Sequence, residues 1–283
     1  MTALIEVDDA RYRYSPTTPE ALRGVSIQVH EGDFLALIGQ NGAGKTTLAK
    51  LFNGLLLPSA GTVRVAGVDT RVSGVRKLAA RVGYCYQNPD HQIFRRTVRQ
   101  EVAYGPTNLK LPPERVRAQV DHALELVGLE DRADAYPFLL GRGERQRLAL
   151  ASIVAMESDI LIVDEPTTGL DYRGIRGIMA LLARWNREEH RSIVIITHDI
   201  GIVADHVPRT VVMAEGRIVR DGPTREVLGD EDALRRADIR APQISRVARR
   251  LAHVRVSPSV LTVDEMVAET RRLLRTAHRV EEG

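Results

Sequence analysis

Only one cysteine, Cys85, occurs in 283 residues, so no intramolecular disulfide can form, and the chain fits a reducing compartment. No apolar run approaches the roughly 18–20 residues of a membrane-spanning helix. Stretches such as Ile160–Val163 and Ile193–Ile196 have the length of a strand. The opening residues, MTALIEVDDA, carry acid where a secretory signal has a basic region, which argues against secretion. A formal net charge of +3 is too small to point to nucleic acid by itself. The sequence has no internal repeat and no low-complexity segment. With 43% hydrophobic and 27% charged residues, the composition is globular and excludes a disordered chain. The length allows two ordinary domains, or one large α/β domain with an appendage.

Periodicity then sorts the chain into elements. Residues 25–29 (VSIQV) alternate and read as a half-buried strand, as does Thr62–Val65. Residues 34–38 (FLALI) are apolar throughout, which suits a strand covered on both faces. Leu48, Leu51, Phe52 and Leu55 follow Gly44 at helical spacing, and Val82–Tyr86 is another short β-like run. Pro112 and Pro113 open a helix with Val116, Val120, Leu124 and Val127 on one face, closed by Gly128. A second helix is expected after Gly143, with Leu148 and Ser152 to Ala155 inward. The buried strands Ile160–Val163 and Ile193–Ile196 flank a helix near 173–189, and Thr210–Ala214 with Arg217–Arg220 reads as a hairpin. Strand and helix therefore alternate around a mostly helical insertion near 95–157, which predicts a mainly parallel sheet between helix layers.

Gly39-Gln40-Asn41-Gly42-Ala43-Gly44-Lys45-Thr46 fits the phosphate-loop pattern G-x-x-x-x-G-K-[ST]. Glycines let backbone N–H groups curl round a β-phosphate without Cβ clashes. Lys45 would reach the β- and γ-phosphates, and the Thr46 hydroxyl would bind Mg2+. The following helix would point its positive N-terminal end at the same phosphates.

ILIVDE (160–165) places two acids at the end of a buried strand. Acids are common at helix N-termini. Beside a phosphate loop, Asp164 instead suits Mg2+ through water, and Glu165 suits polarisation of an attacking water. His198 follows the strand SIVIIT at the carboxyl end, where α/β sheets place their chemistry, although a lone histidine is commonly structural.

These residues give the chain its likeness: it resembles ABC-transporter ATPases over almost its whole length. The matching segments are Walker A (39–46), a Walker-B-like ILIVDE, EPTTGLD (165–171) ending in the D-loop Asp171, and THD with the switch His198. Gln87 after VGYCY matches the Q-loop, and Tyr14 in ARYRYSP matches the aromatic position that stacks on adenine. The resemblance implies an α/β P-loop NTPase with a RecA-like, mainly parallel core, an antiparallel β subdomain, an inserted helical subdomain at about 95–157 and a C-terminal helical extension. Residues 1–230 would form the nucleotide-binding domain, and 231–283 an extension serving dimerisation. The positions implied for ATP are Tyr14, Gly39, Asn41, Gly42, Ala43, Gly44, Lys45, Thr46, Thr47, Gln87 and Asp164, of which Thr46, Gln87 and Asp164 would serve Mg2+. Glu165 would be the catalytic carboxylate and His198 a γ-phosphate sensor.

A narrower likeness is carried by QNPDHQIF (87–94), TVRQEVAYGPTNLKLPP (97–113) and APQISRVARRL (241–251). These are similar to the ATPases of energy-coupling factor transporters, which import vitamins and cobalt or nickel ions. That likeness implies two ATPases beneath a membrane T-component, with a substrate-capturing S-component, at the cytoplasmic face of the membrane. Residues 87–94 would meet the T-component's coupling helices.

One motif departs from the pattern. Where the family has LSGGQ or LSGGE, this chain has Leu140-Gly141-Arg142-Gly143-Glu144. In the family these residues, like Asp171, act on the nucleotide held by the partner subunit. Replacing the signature serine by Gly141 removes a hydrogen bond worth roughly 1.5–3 kcal/mol to a charged acceptor. Arg142 could replace it by a charge-assisted contact. A heterodimer with unequal sites is therefore expected over a homodimer.

After residue 240 the chain is Arg-rich at helical spacing. Thr262-Val263-Asp264-Glu265 reads as a capping box, and Val263, Met266, Val267, Leu273 and Leu274 as one face of a packing or dimerisation helix. Contact with anionic lipid is the alternative. The tail lacks aromatic residues for base stacking, so nucleic acid is not an expected partner. A soluble ABC protein acting on nucleic acid or ribosomes would carry two cassettes or a long insertion. A GTPase would carry N-K-x-D, whereas the lysines here follow Gly44, Ala49, Arg76 and Leu109.

Overall fold

The computed structural model describes residues 3–281, and the side chains of residues 3–275. Its strands are β1 (Ala3–Tyr12), β2 (Leu22–His30), β3 (Phe34–Ile38), β4 (Ala60–Val65), β5 (Val68–Asp69), β6 (Val82–Cys85), β7 (Ile160–Asp164), β8 (Ser192–Ile196), β9 (Arg209–Ala214) and β10 (Arg217–Pro223). They form an antiparallel sheet in the order β2-β1-β4-β5 and a second sheet in the order β10-β9-β3-β8-β7-β6. The second sheet is parallel from β9 to β6, with β10 added antiparallel at its edge as the expected hairpin.

The strands sit where their residues require. Every residue of β3, β7 and β8 is buried, as continuous apolar runs between two layers must be. Alternate side chains then go to opposite faces. Phe34, Ala36, Ile38, Leu161, Val163, Ile193 and Ile195 join one core cluster, while Leu35, Leu37, Ile160, Ile162, Val194 and Ile196 join the other. The first cluster lies under α4–α9 (Val98–Asn108, Pro113–Val127, Arg142–Val154, Tyr172–Glu189, Ile200–His206 and Thr224–Gly229) and α10 (Glu231–Arg236). The second holds α1 (Lys45–Phe52) and the antiparallel sheet. The short α2 (Thr70–Ser73) and α3 (Val75–Ala79) precede β6. Among the described residues, no helix is long and apolar enough to cross a membrane.

Helix ends follow the sequence signals. α5 begins with Pro113 and stops at Gly128, which adopts the left-handed conformation (φ 65°). Val120, Leu124 and Val127 are buried as expected, each worth about 1.5–3 kcal/mol. α6 starts at Arg142, two residues before the expected site, because Gly141 is its N-cap. Leu55 does not continue α1: the helix ends at Phe52, and Leu55 is exposed. Strand β1 does not show in the sequence pattern. Ile5 and Val7 alternate inward, but a register shift between Val7 and Ala10, with Asp9 at φ 42°, interrupts the pattern.

The C-terminal helices are α11 (Gln243–Arg250) and α12 (Val263–Glu281). The expected single apolar face of α12 splits in two. At about 100° per residue, Met266 and Leu273 lie some 60–80° round the helix from Val263, with Val267 and Leu274 on its other side. Met266 and Leu273 pack with Ala248, Val256 and Val260, whereas Val263, Val267 and Leu274 are exposed. Thr262 Oγ1 accepts from Glu265 N at 3.2 Å, but the Glu265 carboxylate accepts from Leu261 N, one residue earlier than in a strict capping box. Glu265 also pairs with Arg225 of α9, which ties the extension to the main body.

Candidate functional site

The phosphate loop joins β3 to α1, as its sequence context predicted. Two of its glycines are forced by close approach. A Cβ on Gly39 (φ 155°) would lie 2.3 Å from Met213 O, and one on Gly44 (φ 101°) 2.7 Å from Ala21 O. These glycines therefore seat the loop against its own protein, a role the motif alone does not reveal. Lys45 is buried, and its Nζ donates to Gly39 O at 2.7 Å and Gln40 O at 2.8 Å. Burial lowers its pKa, while the charges of Glu165 and Asp164 act in the opposite sense.

An open cleft of about 790 Å³ lies over the loop. It brings together Tyr14, Gly39, Asn41, Gly42, Gly44, Lys45, Thr46, Thr47, Gln87, Asp164, Glu165 and His198, residues drawn from well-separated parts of the chain. Ala43 is buried behind the loop, where its carbonyl accepts from Gly216 N at 3.1 Å. Tyr14 stands at the rim, 57% exposed, with its OH 3.0 Å from Thr47 Oγ1 and its ring edge-on to Tyr12. Its position leaves an aromatic surface free for a planar base.

Asp164 ends β7 and is buried; Thr46 Oγ1 donates to its Oδ2 at 3.3 Å. The Tyr84 hydroxyl donates to the same oxygen at 2.8 Å. Burial, then the neighbouring Asp164 charge, raises the Tyr84 pKa, so Tyr84 stays a donor. Sequence reasoning missed Tyr84, although it stands in the VGYCY strand. β6 and β7 are neighbours in the sheet, and that adjacency alone brings it to Asp164. Thr46 and Asp164 offer hard oxygens side by side, the donor chemistry that suits Mg2+, and Gln87 lines the same cleft. Among the described residues there is no group of three or more His, Cys, Asp or Glu placed to hold a metal alone. A cation here would complete its shell with phosphate oxygens and water.

Glu165 takes a left-handed backbone conformation (φ 49°), and its N–H donates to Ile196 O at 2.8 Å. Its Oε1 lies 2.8 Å from His198 Nδ1, which pairs the end of β7 with the end of β8. Glu165 is thus a carboxylate positioned by an imidazole beside a phosphate loop, the arrangement needed to orient a water.

The remaining candidates lie elsewhere. Gly141, Arg142, Gly143, Glu144 and Asp171 line a separate cleft of about 540 Å³, and Leu140 is buried behind them. Glu144 Oε2 accepts from Gly141 N at 2.8 Å, and Asp171 caps α7 by accepting from Gly174 N at 2.8 Å. Arg142 Nη2 donates to Thr168 O at 3.1 Å, and the guanidinium covers Gly169, where a Cβ would come within 2.4 Å of it. The segment 87–94 is bound to α6: Arg145 pairs with Asp90 at 2.8 Å, and Gln92 Nε2 donates to Ala149 O at 3.0 Å.

Cys85 is fully buried, and burial followed by the Asp164 charge pushes its thiol up to about 12. The folded chain is expected to resist a maleimide at pH 8 and to react once denatured. Rapid labelling of native protein, read by mass spectrometry, would contradict this placement.

Fold and cleft together define a P-loop nucleotide hydrolase. Its family follows from comparison. A model described as ABC transporter matches residues 22–168. An energy-coupling factor transporter ATP-binding protein of Symbiobacterium thermophilum is 44% identical over 252 residues, covering 87% of each chain. One from Caldanaerobacter subterraneus is 36% identical over 273 residues, covering 94% of this chain and 98% of that one. A further ATP-binding protein of that organism, 43% identical over 269 residues, is longer, and the chain spans 46% of its length. Among solved structures, CbiO1 of Clostridium perfringens, described as part of the ABC transporter complex CbiONQ, matches with a TM-score of 0.76 and 36% identity over 88% of this chain and all of that one. The chain belongs to the ABC transporter ATPase family: it is an ATP-binding ATPase.

Proposed function

We propose that this chain is the motor subunit of an energy-coupling factor importer, driving uptake of a vitamin or a transition-metal ion. It works at the cytoplasmic face of the membrane as one of two ATPases, beneath a T-component that carries an S-component. The observation that carries this reading is the division of the site: the phosphate loop with Glu165 and His198 lines one cleft, and the signature residues with Asp171 line another. Two facing subunits would complete each other's sites. The names of the relatives and of the CbiONQ complex support the importer class.

In this reading Tyr14 stacks on adenine, while Lys45 and the loop amides hold the triphosphate. Lys45 leaves its two loop carbonyls to do so. Thr46, Gln87 and Asp164 would hold Mg2+, which supplies charge neutralisation at the phosphate oxygens. Tyr84 keeps Asp164 oriented. Glu165 aligns the attacking water and takes its proton; His198 steadies Glu165 and senses the γ-phosphate. Closure of the dimer stores binding energy, and reopening follows loss of phosphate. The bonds from Asp90 and Gln92 to α6 would pass this motion to the segment facing the T-component.

The altered signature makes the two sites unequal. Arg142 is engaged with Thr168 O within its own subunit, and Gly141 lacks the hydroxyl, so this chain would offer its partner's nucleotide fewer contacts. The test is copurification from membranes after co-expression with a second ATPase and a T-component. A membrane-bound assembly with two different ATPases is expected. A homodimer with two equally active sites, or a chain that stays in the soluble fraction, would refute it.

A further inference from the structure

We propose that Asp238, at the end of α10, is a positioning residue of the nucleotide site and acts through Gln40. This inference rests on ATP lying in the cleft over the phosphate loop.

The backbone at the end of α10 sets the direction of Asp238. Ile239 N donates to Leu234 O at 2.8 Å and Asp238 N to Arg235 O at 3.0 Å, so α10 closes with a left-handed residue, Asp238, at φ 49°. Glycine is the common residue at such a helix end, and aspartate is among the side chains that also accept this backbone.

That side chain accepts a hydrogen bond from Gln40 Nε2, 198 residues earlier in the chain. Gln40 is the second residue of the phosphate loop, and its backbone carbonyl is one of the two that receive Lys45 Nζ. A chain of contacts thus runs from Asp238 to Gln40 to the phosphate-binding lysine. The support beneath Asp238 is firm: Ala233, Leu234 and Ala237 are buried, and the last two belong to the main core. Asp238, Ile239 and Arg240 also form part of the cleft wall that includes His198 and Ile200. The turn after α10 therefore shapes the nucleotide cleft from a helix anchored in the main core.

Two effects of the carboxylate oppose each other. Holding the Gln40 amide orders the loop in advance, which favours nucleotide. A negative charge at the rim disfavours a triphosphate, weakly at this exposure. Substitutions separate them. Asp238→Gly removes both the bond and the charge while suiting the left-handed backbone; Asp238→Asn keeps an acceptor and removes only the charge.

The experiment measures ATP affinity and thermal melting of the full chain. With Asp238→Gly, the Kd for ATP is expected to rise about 3- to 10-fold, with an unchanged or higher Tm. Asp238→Asn is expected to bind at least as tightly as the wild type. Gln40→Ala should weaken binding similarly, and adding Asp238→Gly to it should change little, since both remove one contact. Wild-type affinity in Asp238→Gly, Asp238→Asn as weak as Asp238→Gly, or additive losses in the double variant would overturn the proposal. A wild-type chain that binds no ATP would instead remove the site reading, and this inference with it.

Discussion

Glu165→Gln is expected to lower ATP turnover by about 100- to 10,000-fold while leaving ATP binding close to normal. The substitution keeps the shape of the side chain and takes away the base. It also keeps the backbone demand: residue 165 sits at φ 49°, a conformation that costs of order 1–3 kcal/mol and that glutamine meets as glutamate does. The fold should therefore be undisturbed, and the loss should lie in the chemical step. With water no longer activated, the assembled subunits should accumulate in the ATP-bound, closed form. Phosphate release and nucleotide affinity measured on the same preparation separate the two effects. Near-normal turnover would remove Glu165 from the role.

Lys45→Ala is expected to weaken ATP binding about 10- to 150-fold, the range set by one or more charge-assisted hydrogen bonds of roughly 1.5–3 kcal/mol in all. Lys45 is 7% exposed and buried beneath the loop, so little of its interaction with a phosphate would be screened by solvent. The variant leaves the carbonyls of Gly39 and Gln40 without their ammonium partner, which calls for a melting curve beside the binding curve. Alanine is a good helix former for the first position of α1, so the helix should persist. A labelled ATP analogue reads the result, and unchanged affinity with unchanged Tm would place the triphosphate elsewhere.

What could be read from the sequence was what the chemistry keeps local. The phosphate loop is contiguous because one turn must wrap one phosphate, and the parallel strands show as unbroken apolar runs because both faces are covered. Residues joined only by the fold could not be read. Tyr84 meets Asp164 because β6 lies beside β7, and Asp238 meets Gln40 from the far end of the chain. Strand β1 was hidden by its bulge at Asp8–Ala10, where the alternation loses its phase. The five apolar residues of α12 look like one face in the sequence, but their angles round the helix divide them between a packed pair and an exposed trio. The departure at Gly141 and Arg142 was visible, but its direction was not: only the folded chain reveals that the guanidinium turns to Thr168 O.

The most direct measurement is a calorimetric titration of the wild-type chain with ATP and Mg2+. Saturable uptake of a single ATP per chain, with a Kd in the range of about 1 μM to 1 mM, is the expected result. No heat of binding at millimolar ATP, from protein with an intact melting transition, would contradict the placement of a triphosphate over Lys45 and Thr46.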